Sequence, residues 1–171
     1  MVLRRGHGDL PYHGSFSVGT CSARGFLSLG VERYKAGESR KSYVVWEEAG
    51  VVPTLVLEVV SLTPGGEYDT KMATYAKLGV LYYVIYNPQY WQRDQHQPFE
   101  VYRLENGAYQ LQMGEPYWMP EVGLGIGRSP YQDGTVIREA LYWYSEQGKR
   151  YLTPEEQLAR YRQRFGELPE E

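Results

Sequence analysis

TLVLEVVSLTPGGEYDTKMATYAKLGVLYYVIYNP, residues 54–88, is the stretch of sequence from which the fold can be predicted. Residues 54–60 and 80–86 are near-continuous apolar runs, which are typical of strands covered on both faces. Between them, residues 68–78 predict a helix, because Asp69 lies near its start and Gly79 lies just past its end. A strand–helix–strand order is a crossover connection, so we expect the two strands to be parallel.

The flanking segments predict further β-structure. Upstream, residues 26–31 predict a short strand. Residues 42–48 are rich in β-branched and aromatic side chains and predict another strand. Downstream, Asn106-Gly107 separates the alternating segments 99–104 and 108–113. Asn-Gly between alternating strands is a strong signal for a β-hairpin.

The last third of the chain predicts a loop, a second hairpin and a helix. Residues 116–130 are rich in Gly and Pro and are expected to wrap the domain. Residues 139–144 and 150–152 predict the second hairpin. Thr153-Pro154-Glu155-Glu156 carries the capping pattern of a helix start. The apolar stripe of this helix consists of Leu158, Tyr161 and Phe165.

Composition restricts the class of protein. The 171 residues are 42% apolar and 23% charged, which suits one packed domain and argues against general disorder. The one cysteine, Cys21, excludes an internal disulfide and a zinc site of several thiolates, so a reducing, cytoplasmic compartment is expected. No apolar run approaches the roughly 20 residues of a membrane span, and no secretory signal is expected. The net charge of -3 argues against non-specific DNA coating but allows a local basic groove.

Glu58 is the most informative single residue, because it interrupts the apolar run 54–60. Val56 and Val60 share its face of the predicted strand. An ionised carboxylate in such a place costs several kcal/mol unless it is paired or holds a metal. The sequence leaves two interpretations open: a structural ion pair with a neighbouring Lys or Arg, or a functional site.

Asp69, Lys71 and Tyr75 lie on the helix that follows. Taken singly, Asp69 can be a favourable charge in the first turn, and Lys71 can be a solvated surface side chain. Lys71 and Tyr75 are four residues apart, so they share a helix face. A crossover helix packed on its own strand would bring that face to the end of the strand that carries Glu58. These side chains are therefore predicted to line one pocket, in which a carboxylate can hold Mg²⁺ and a lysine can stabilise charge on a phosphate.

These motifs resemble a bacterial restriction endonuclease family of the PD-(D/E)xK nuclease superfamily, long described as a domain of unknown function. The matching positions are Glu58, Ser61, Asp69, Lys71, Tyr75, Gly79, Val80, Tyr83, Asn87 and Pro88. The segment 42–48, the hairpin PFEVYRLENGAYQL and the LGIG sequence beyond it also resemble the family. The resemblance covers about residues 26–165, and the order and spacing of the motifs carry it.

The resemblance implies an α/β (α+β) fold with a restriction-endonuclease-like mixed central sheet, flanked by helices and extended by β-hairpins. It implies Mg²⁺-assisted hydrolysis of DNA phosphodiesters, with Glu58 as the metal ligand. The lysine of the usual Glu-x-Lys would fall at Val60, so its role passes to Lys71; Asp69 and Tyr75 complete the implied site. The implied division is an irregular, divergent segment at 1–25, an endonuclease-like domain at 26–152, and a C-terminal helix with an acidic tail at 153–171.

The sequence departs from the family pattern at its N-terminal end. The metal-binding Asp of the family should precede the strand 26–31, where this chain has Ala23-Arg24. Residues 1–22 do not resemble the family's acidic N-terminal helix, so a divergent or truncated N-terminus is expected. With one acid missing, metal affinity should fall, and the chain is expected to be a weak or inactive nuclease. The alternatives are a non-catalytic DNA-binding or accessory module on the same scaffold, and a structural domain that forms a homodimer through its C-terminal helix.

Overall fold

The computed structural model describes residues 16–18, 21–23, 25–32, 34–35, 38–39, 43–133 and 135–166. The chain divides into two compact units, Met1–Tyr117 and Trp118–Glu171. Their boundary falls inside the stretch 26–152, and the three-part division expected from the resemblance stays a prediction. The first unit holds β1 (Phe16–Val18), β2 (Cys21–Ala23), β3 (Gly25–Leu27), β4 (Tyr34–Lys35), β5 (Glu38–Ser39), a 3-10 helix (Val45–Glu48), β6 (Leu55–Val59), α1 (Thr70–Leu78), β7 (Tyr82–Tyr86), α2 (Trp91–Asp94), β8 (Phe99–Glu105) and β9 (Ala108–Gln112).

The central sheet of the first unit is mixed, as predicted. Its strand order is β3-β6-β7-β8-β9. β6 and β7 are parallel, in register from the Leu55–Tyr82 pair to the Val59–Tyr86 pair. The other three pairings are antiparallel. Parallel neighbours need a crossover connection, and α1 supplies it.

Helix α1 begins and ends as its sequence predicts. Asp69 is the N-cap residue, and its carboxylate accepts a hydrogen bond from the Thr70 N–H. Gly79 ends the helix in the left-handed region at φ 85°, and its N–H donates to the carbonyls of Ala76 and Tyr75. Glycine adopts this conformation without the steric cost of a Cβ atom.

Both faces of the central sheet are buried. On one face the core consists of Phe26, Tyr43, Val56, Val60, Tyr75, Val80, Tyr83 and Ile85. Tyr75 comes from α1, so the helix contributes to the core on this face. Side chains that alternate with these along the strands are also buried, namely Leu55, Tyr82, Val84 and Val101. The near-continuous apolar runs are explained by this two-sided burial.

Two upstream predictions need correction. Within the predicted strand 42–48, the described residues 43–48 do not form a strand: Val45–Glu48 is a 3-10 helix, and the Glu47 N–H donates to the Val44 carbonyl at 3.0 Å. Ala49 and Gly50 follow with φ values of 53° and 78°, so the local turn overrides the β-propensity of the side chains. The segment 1–25 is not wholly irregular either, since β1 pairs antiparallel with β2. Strands of three residues are too short for periodicity to reveal.

The hairpin around Asn106-Gly107 is confirmed. β8 and β9 pair antiparallel from the Val101–Gln112 pair to the Glu105–Ala108 pair. Asn106 and Gly107 both have positive φ, at 51° and 82°. Two consecutive positive φ angles are what a type I′ turn requires.

The second unit is built on a long hairpin that the sequence did not predict in this form. β10 (Tyr117–Met119), which begins at the last residue of the first unit, β11 (Leu124–Asp133) and β12 (Val136–Tyr144) form a sheet in that order. The expected loop over 116–130 is therefore wrong, because β11 runs through it. Gly125, Gly127 and Pro130 disfavour a strand locally, and pairing with β12 from Gly125 to Asp133 overrides that preference. The expected strand 150–152 is reduced to one bridge between Tyr144 and Arg150.

Helix α3 (Pro154–Phe165) has the predicted capping box. The Thr153 hydroxyl accepts from the Glu156 N–H at 3.2 Å, and the Glu156 carboxylate accepts from the Thr153 N–H at 2.8 Å. Its apolar stripe is exposed to 38% at Leu158, 46% at Tyr161 and 64% at Phe165.

None of the helices within the described residues combines the length and the apolar character that crossing a membrane requires.

Candidate active site

The candidate site lies at the carboxyl ends of the parallel strands β6 and β7. Such ends meet at one edge of a sheet, and the loops that follow them commonly form binding crevices. Glu58 is the penultimate residue of β6, and Asn87 directly follows β7. The segments that follow the two strands contact each other. The Arg93 guanidinium, on α2 beyond β7, donates to the carbonyl of Leu62, beyond β6, at 2.8 Å.

Glu58 points into the protein, with a relative exposure of 1%. Its Oε2 lies 3.1 Å from Lys71 Nζ, and its Oε1 accepts from the Tyr75 hydroxyl at 3.3 Å. Burial raises the pKa of the Glu58 carboxyl, and this effect outweighs the hydrogen bonds and the charge of Lys71, which lower it. Glu58 is thus buried, as its place within an apolar run leads one to expect.

Lys71 is the cation of the site. It lies in the first turn of α1, one helical turn before Tyr75, so both side chains reach Glu58 from the same helix face. Burial works to lower the pKa of Lys71, but its hydrogen bond to Glu58 and the charges of Glu58 and Glu67 together raise that pKa. Lys71 is therefore an ammonium ion held between carboxylates.

Glu67 is a member of the site that sequence analysis missed. Its exposure is 5%, and its Oε1 lies 3.3 Å from Lys71 Nζ. The Gly65 N–H donates to its Oε2 at 2.8 Å, and the Tyr83 hydroxyl donates to its backbone carbonyl at 2.7 Å. The available signal was the spacing, since a glutamate four residues before a lysine predicts an ion pair on a helix. Glu67 lies before the first residue of α1, where that rule is not usually applied.

Gly65 leaves room for this arrangement. A Cβ atom at position 65 would lie 2.7 Å from Glu67 Oε1 and 3.5 Å from Lys71 Nζ. Gly66 has φ +77°, and a Cβ atom there would lie 2.9 Å from Asp69 Oδ1. The Gly-Gly pair thus permits the turn that brings Glu67 back over Lys71.

The described hydrogen bonds of Asp69 and Ser61 lie outside this cluster. The Asp69 carboxylate is exposed and caps α1, and the hydrogen bond from the Thr70 backbone lowers its pKa. The Ser61 hydroxyl donates to the Thr63 carbonyl at 3.0 Å within its own loop. These positions support the capping alternative for Asp69, and a catalytic role for it stays a prediction.

A second buried polar cluster surrounds Glu100 on β8. The Glu100 carboxylate accepts from the Gln97 N–H at 3.0 Å and from the Tyr102 hydroxyl at 2.8 Å. His96 Nδ1 lies 3.2 Å from the same carboxylate. The His96 ring stacks on the Tyr68 ring with a centroid distance of 3.6 Å.

Asn87 connects this second cluster to the end of β7. Its side-chain amide donates to the Tyr68 hydroxyl at 3.0 Å and to Asp94 Oδ2 at 2.9 Å. Its side-chain carbonyl accepts from the Tyr90 N–H at 2.9 Å. Burial raises the pKa of Tyr68 to about 12, so this phenol is neutral at physiological pH. Asn87, which the resemblance singled out, thus orders the loop beyond β7.

The chemistry available at the first cluster is that of two carboxylates and one ammonium. Carboxylate oxygens are hard donors that suit Mg²⁺, and an ammonium suits a phosphate oxygen. Within the described ranges, no three His, Cys, Asp or Glu side chains converge as a metal site. Arg24, at the position where the resemblance places the Asp of the family, lies outside the described residues.

Comparison with known families gives one match. The model of the Uma2 family, described as "Putative restriction endonuclease", matches residues 30–129. That range holds more than half of the 171 residues and includes Glu58, Glu67, Lys71, Tyr75 and the central strands β6 to β9. No curated protein and no solved structure matches the chain. On this family match over more than half of its length, the chain belongs to the Uma2 family.

Proposed function

We propose that this chain binds DNA and hydrolyses its phosphodiester bonds with the assistance of Mg²⁺. The observation that carries the proposal is the buried Glu58 carboxylate with the Lys71 ammonium 3.1 Å from it, at the loop edge of a parallel strand pair. A buried acid in contact with a lysine suits a site where a metal ion and a phosphate bind next to each other. Family membership supports the same class of reaction.

Glu58 fits a divalent cation by the chemistry of its donors. Its two oxygens are buried and point to one cluster, and neither is fixed by a backbone N–H among the described hydrogen bonds. When bound, the ion would polarise an attacking water and neutralise charge on the phosphate. Glu58 would hold it together with water or other oxygens, because Mg²⁺ prefers six oxygen ligands.

The chain's own residues would position the substrate. Lys71 can donate to a non-bridging phosphate oxygen as a point charge, since its four-carbon stem allows the ammonium to turn. Tyr75 donates to Glu58 Oε1 and fixes the direction of that carboxylate. The apolar strands around the cluster exclude bulk water and so strengthen its electrostatic interactions.

A second candidate function is DNA binding without cleavage. The observation that favours it is that Lys71 already forms an ion pair with each of the two buried acids, so each acid has a cationic partner without a metal ion. Arg24 at the aligned position of the family's Asp points the same way, because it removes an oxygen ligand. Lys71 could then bind phosphate while the chain supplies little catalysis.

Plasmid nicking with and without Mg²⁺ or Mn²⁺ tests the proposal. We expect slow, metal-dependent nicking that Glu58→Gln abolishes and Lys71→Met reduces. Lys77→Met is the matched control, because Lys77 is an exposed lysine in the last turn of the same helix. Salt-dependent DNA binding with no nicking would select the second function. Nicking that survives Glu58→Gln would overturn the site.

Two further expectations stay predictions. A cytoplasmic location follows from the cysteine content. A homodimer would cover the exposed stripe of Leu158, Tyr161 and Phe165 on α3. Sedimentation of the full chain and of a Phe165→Glu variant tests it, and equal molecular masses at monomer size would exclude the dimer.

A further inference from the structure

The two buried acids of the candidate site meet at one atom. Glu58 Oε2 lies 3.1 Å from Lys71 Nζ, and Glu67 Oε1 lies 3.3 Å from the same nitrogen. One carboxylate comes from β6, and the other comes from the loop that precedes α1. A small cation at the position of this nitrogen would thus face one oxygen from each.

The Glu67 side chain is held in place independently of Lys71. The Gly65 N–H binds its second oxygen at 2.8 Å, and the Tyr83 hydroxyl binds its backbone carbonyl at 2.7 Å. Both donors are fixed, one by the loop backbone and one by a fully buried tyrosine of β7. The carboxylate is therefore directed at the cluster before any ion binds, which lowers the ordering cost of binding.

We propose that Glu67 is the second carboxylate ligand of the divalent cation, beside Glu58, and that the Lys71 ammonium leaves the shared position when the ion binds. The proposal rests on the metal dependence in the proposed function. It gives Glu67, a loop residue, the role of the metal-binding Asp that the resemblance places near the N-terminus and that this chain lacks there. Mg²⁺–oxygen distances are about 2.0–2.1 Å, so each carboxylate would have to approach by about 1 Å.

The charges of the site agree with this exchange. Two carboxylates and one ammonium carry a net charge of -1, which attracts a cation and would repel a phosphodiester. A divalent ion brings the net charge to +1, which matches the single negative charge of one phosphodiester group. The displaced ammonium then becomes available to the phosphate. The same exchange would make DNA affinity dependent on the metal.

The competing explanation is that Glu67 only neutralises Lys71. The pair has the i,i+4 spacing of an ordinary helix ion pair, and such pairs are common without function. Removing Lys71 separates the two explanations. Without the ammonium there is no charge for Glu67 to neutralise, so any remaining effect of Glu67 on metal affinity has another origin.

The experiment measures Mn²⁺ binding, by paramagnetic resonance of the free ion, to four forms of the full chain. These are the native chain, Lys71→Met, Lys71→Met with Glu67→Gln, and the control Lys71→Met with Glu105→Gln. Glu105 is an exposed glutamate at the end of β8. We expect Lys71→Met to bind Mn²⁺ at least as tightly as the native chain. Adding Glu67→Gln should weaken binding about tenfold or more, because affinity follows the number of charged ligands, and adding Glu105→Gln should not.

Equal affinities of Lys71→Met with and without Glu67→Gln would overturn the assignment, and so would the failure of all four forms to bind Mn²⁺. Circular dichroism confirms that each form is folded. If Lys71→Met with Glu67→Gln is not folded, Lys71→Met with Glu67→Asp takes its place, because that form keeps the negative charge. Nicking by Glu67→Gln at the native rate and Mn²⁺ affinity would overturn this inference and leave the proposed function standing. Glu67-dependent Mn²⁺ binding without any nicking would support this inference and overturn the proposed nuclease function.

Discussion

Glu58 and Glu100 are both buried glutamates on the same face of the central sheet, yet their surroundings differ. Glu58 pairs across the ladder with Ile85, and Ile85 pairs with Glu100 on the next strand. Hydrogen-bond donors to Glu100 come from its own segment, residues 96–102. The donors to Glu58 are a lysine and a tyrosine 13 and 17 residues away, on a helix.

This difference separates a carboxylate that organises a loop from one that is available for chemistry. Glu100 accepts from a backbone N–H and from the hydroxyl of Tyr102, which is two residues away on the same strand. Glu58 is neutralised chiefly by the end of a flexible lysine side chain, which can turn to another partner. Equal burial therefore does not mean equal function; the mobility of the partner distinguishes the two acids.

The largest effect we expect is on nicking. Glu58→Gln should lower the metal-dependent nicking rate at least about 100-fold, because loss of one catalytic electrostatic group typically costs that much. Glu100→Gln should change the rate by less than about threefold, since no reacting group is removed. Initial rates on supercoiled plasmid at saturating Mn²⁺ measure both. Similar losses in the two variants would erase the distinction between these acids.

Lys71→Met should have the next largest effect, on stability without metal. It leaves two buried carboxylates without their cation, and an unsatisfied buried group costs about 1–3 kcal/mol. Urea unfolding in a chelating buffer measures the change in the free energy of unfolding. Lys77→Met is the control and should change it by less than about 0.5 kcal/mol. If Lys71→Met lowers the free energy of unfolding no more than the control Lys77→Met does, the pairing of Lys71 with Glu58 is contradicted.

The pH dependence of stability should show the raised pKa of Glu58. Its pKa in the folded chain lies above the reference value of 4.5, so its stabilising contribution is complete below pH 4.5. That contribution is lost as the pH rises through the folded-state pKa. The native chain should therefore lose stability relative to Glu58→Gln as the pH is raised from 4.5 towards neutrality. Melting temperatures in metal-free buffers measure this difference, and a gain in place of the loss would contradict the burial effect.

Gly65→Ala should have the smallest effect on stability. The new Cβ would meet Glu67 Oε1 at 2.7 Å, and a small shift of that carboxylate, whose contact to the Gly65 N–H is made by its other oxygen, relieves this contact. We expect a change within about 1 kcal/mol, because the substitution also restricts the unfolded chain. Mn²⁺ affinity should fall several-fold, since the Glu67 carboxylate is displaced. A loss of about 2 kcal/mol or more would show that Glu67 is as firmly fixed as Glu100.

The parts of the fold that sequence predicted are those with strong local signals. The unit β6–α1–β7 has continuous apolar strands, an Asp cap and a terminal Gly, and the Glu58–Lys71–Tyr75 contacts follow from its geometry. Glu67 escaped prediction because the path of a Pro-Gly-Gly loop is set by backbone torsions that periodicity does not report. β11 escaped because its Gly and Pro residues are overridden by pairing with β12, a contact between segments that no local pattern contains.

The short span of the candidate site has a consequence for biosynthesis. Every side-chain hydrogen bond described at Glu58 and Glu67 joins residues between 58 and 83. Closing such short loops costs little chain entropy, and units fold in the order in which the ribosome makes them. This charged cluster can therefore assemble co-translationally, while the second unit is still being synthesised. A nascent chain released near residue 117 would already carry the full set of these contacts.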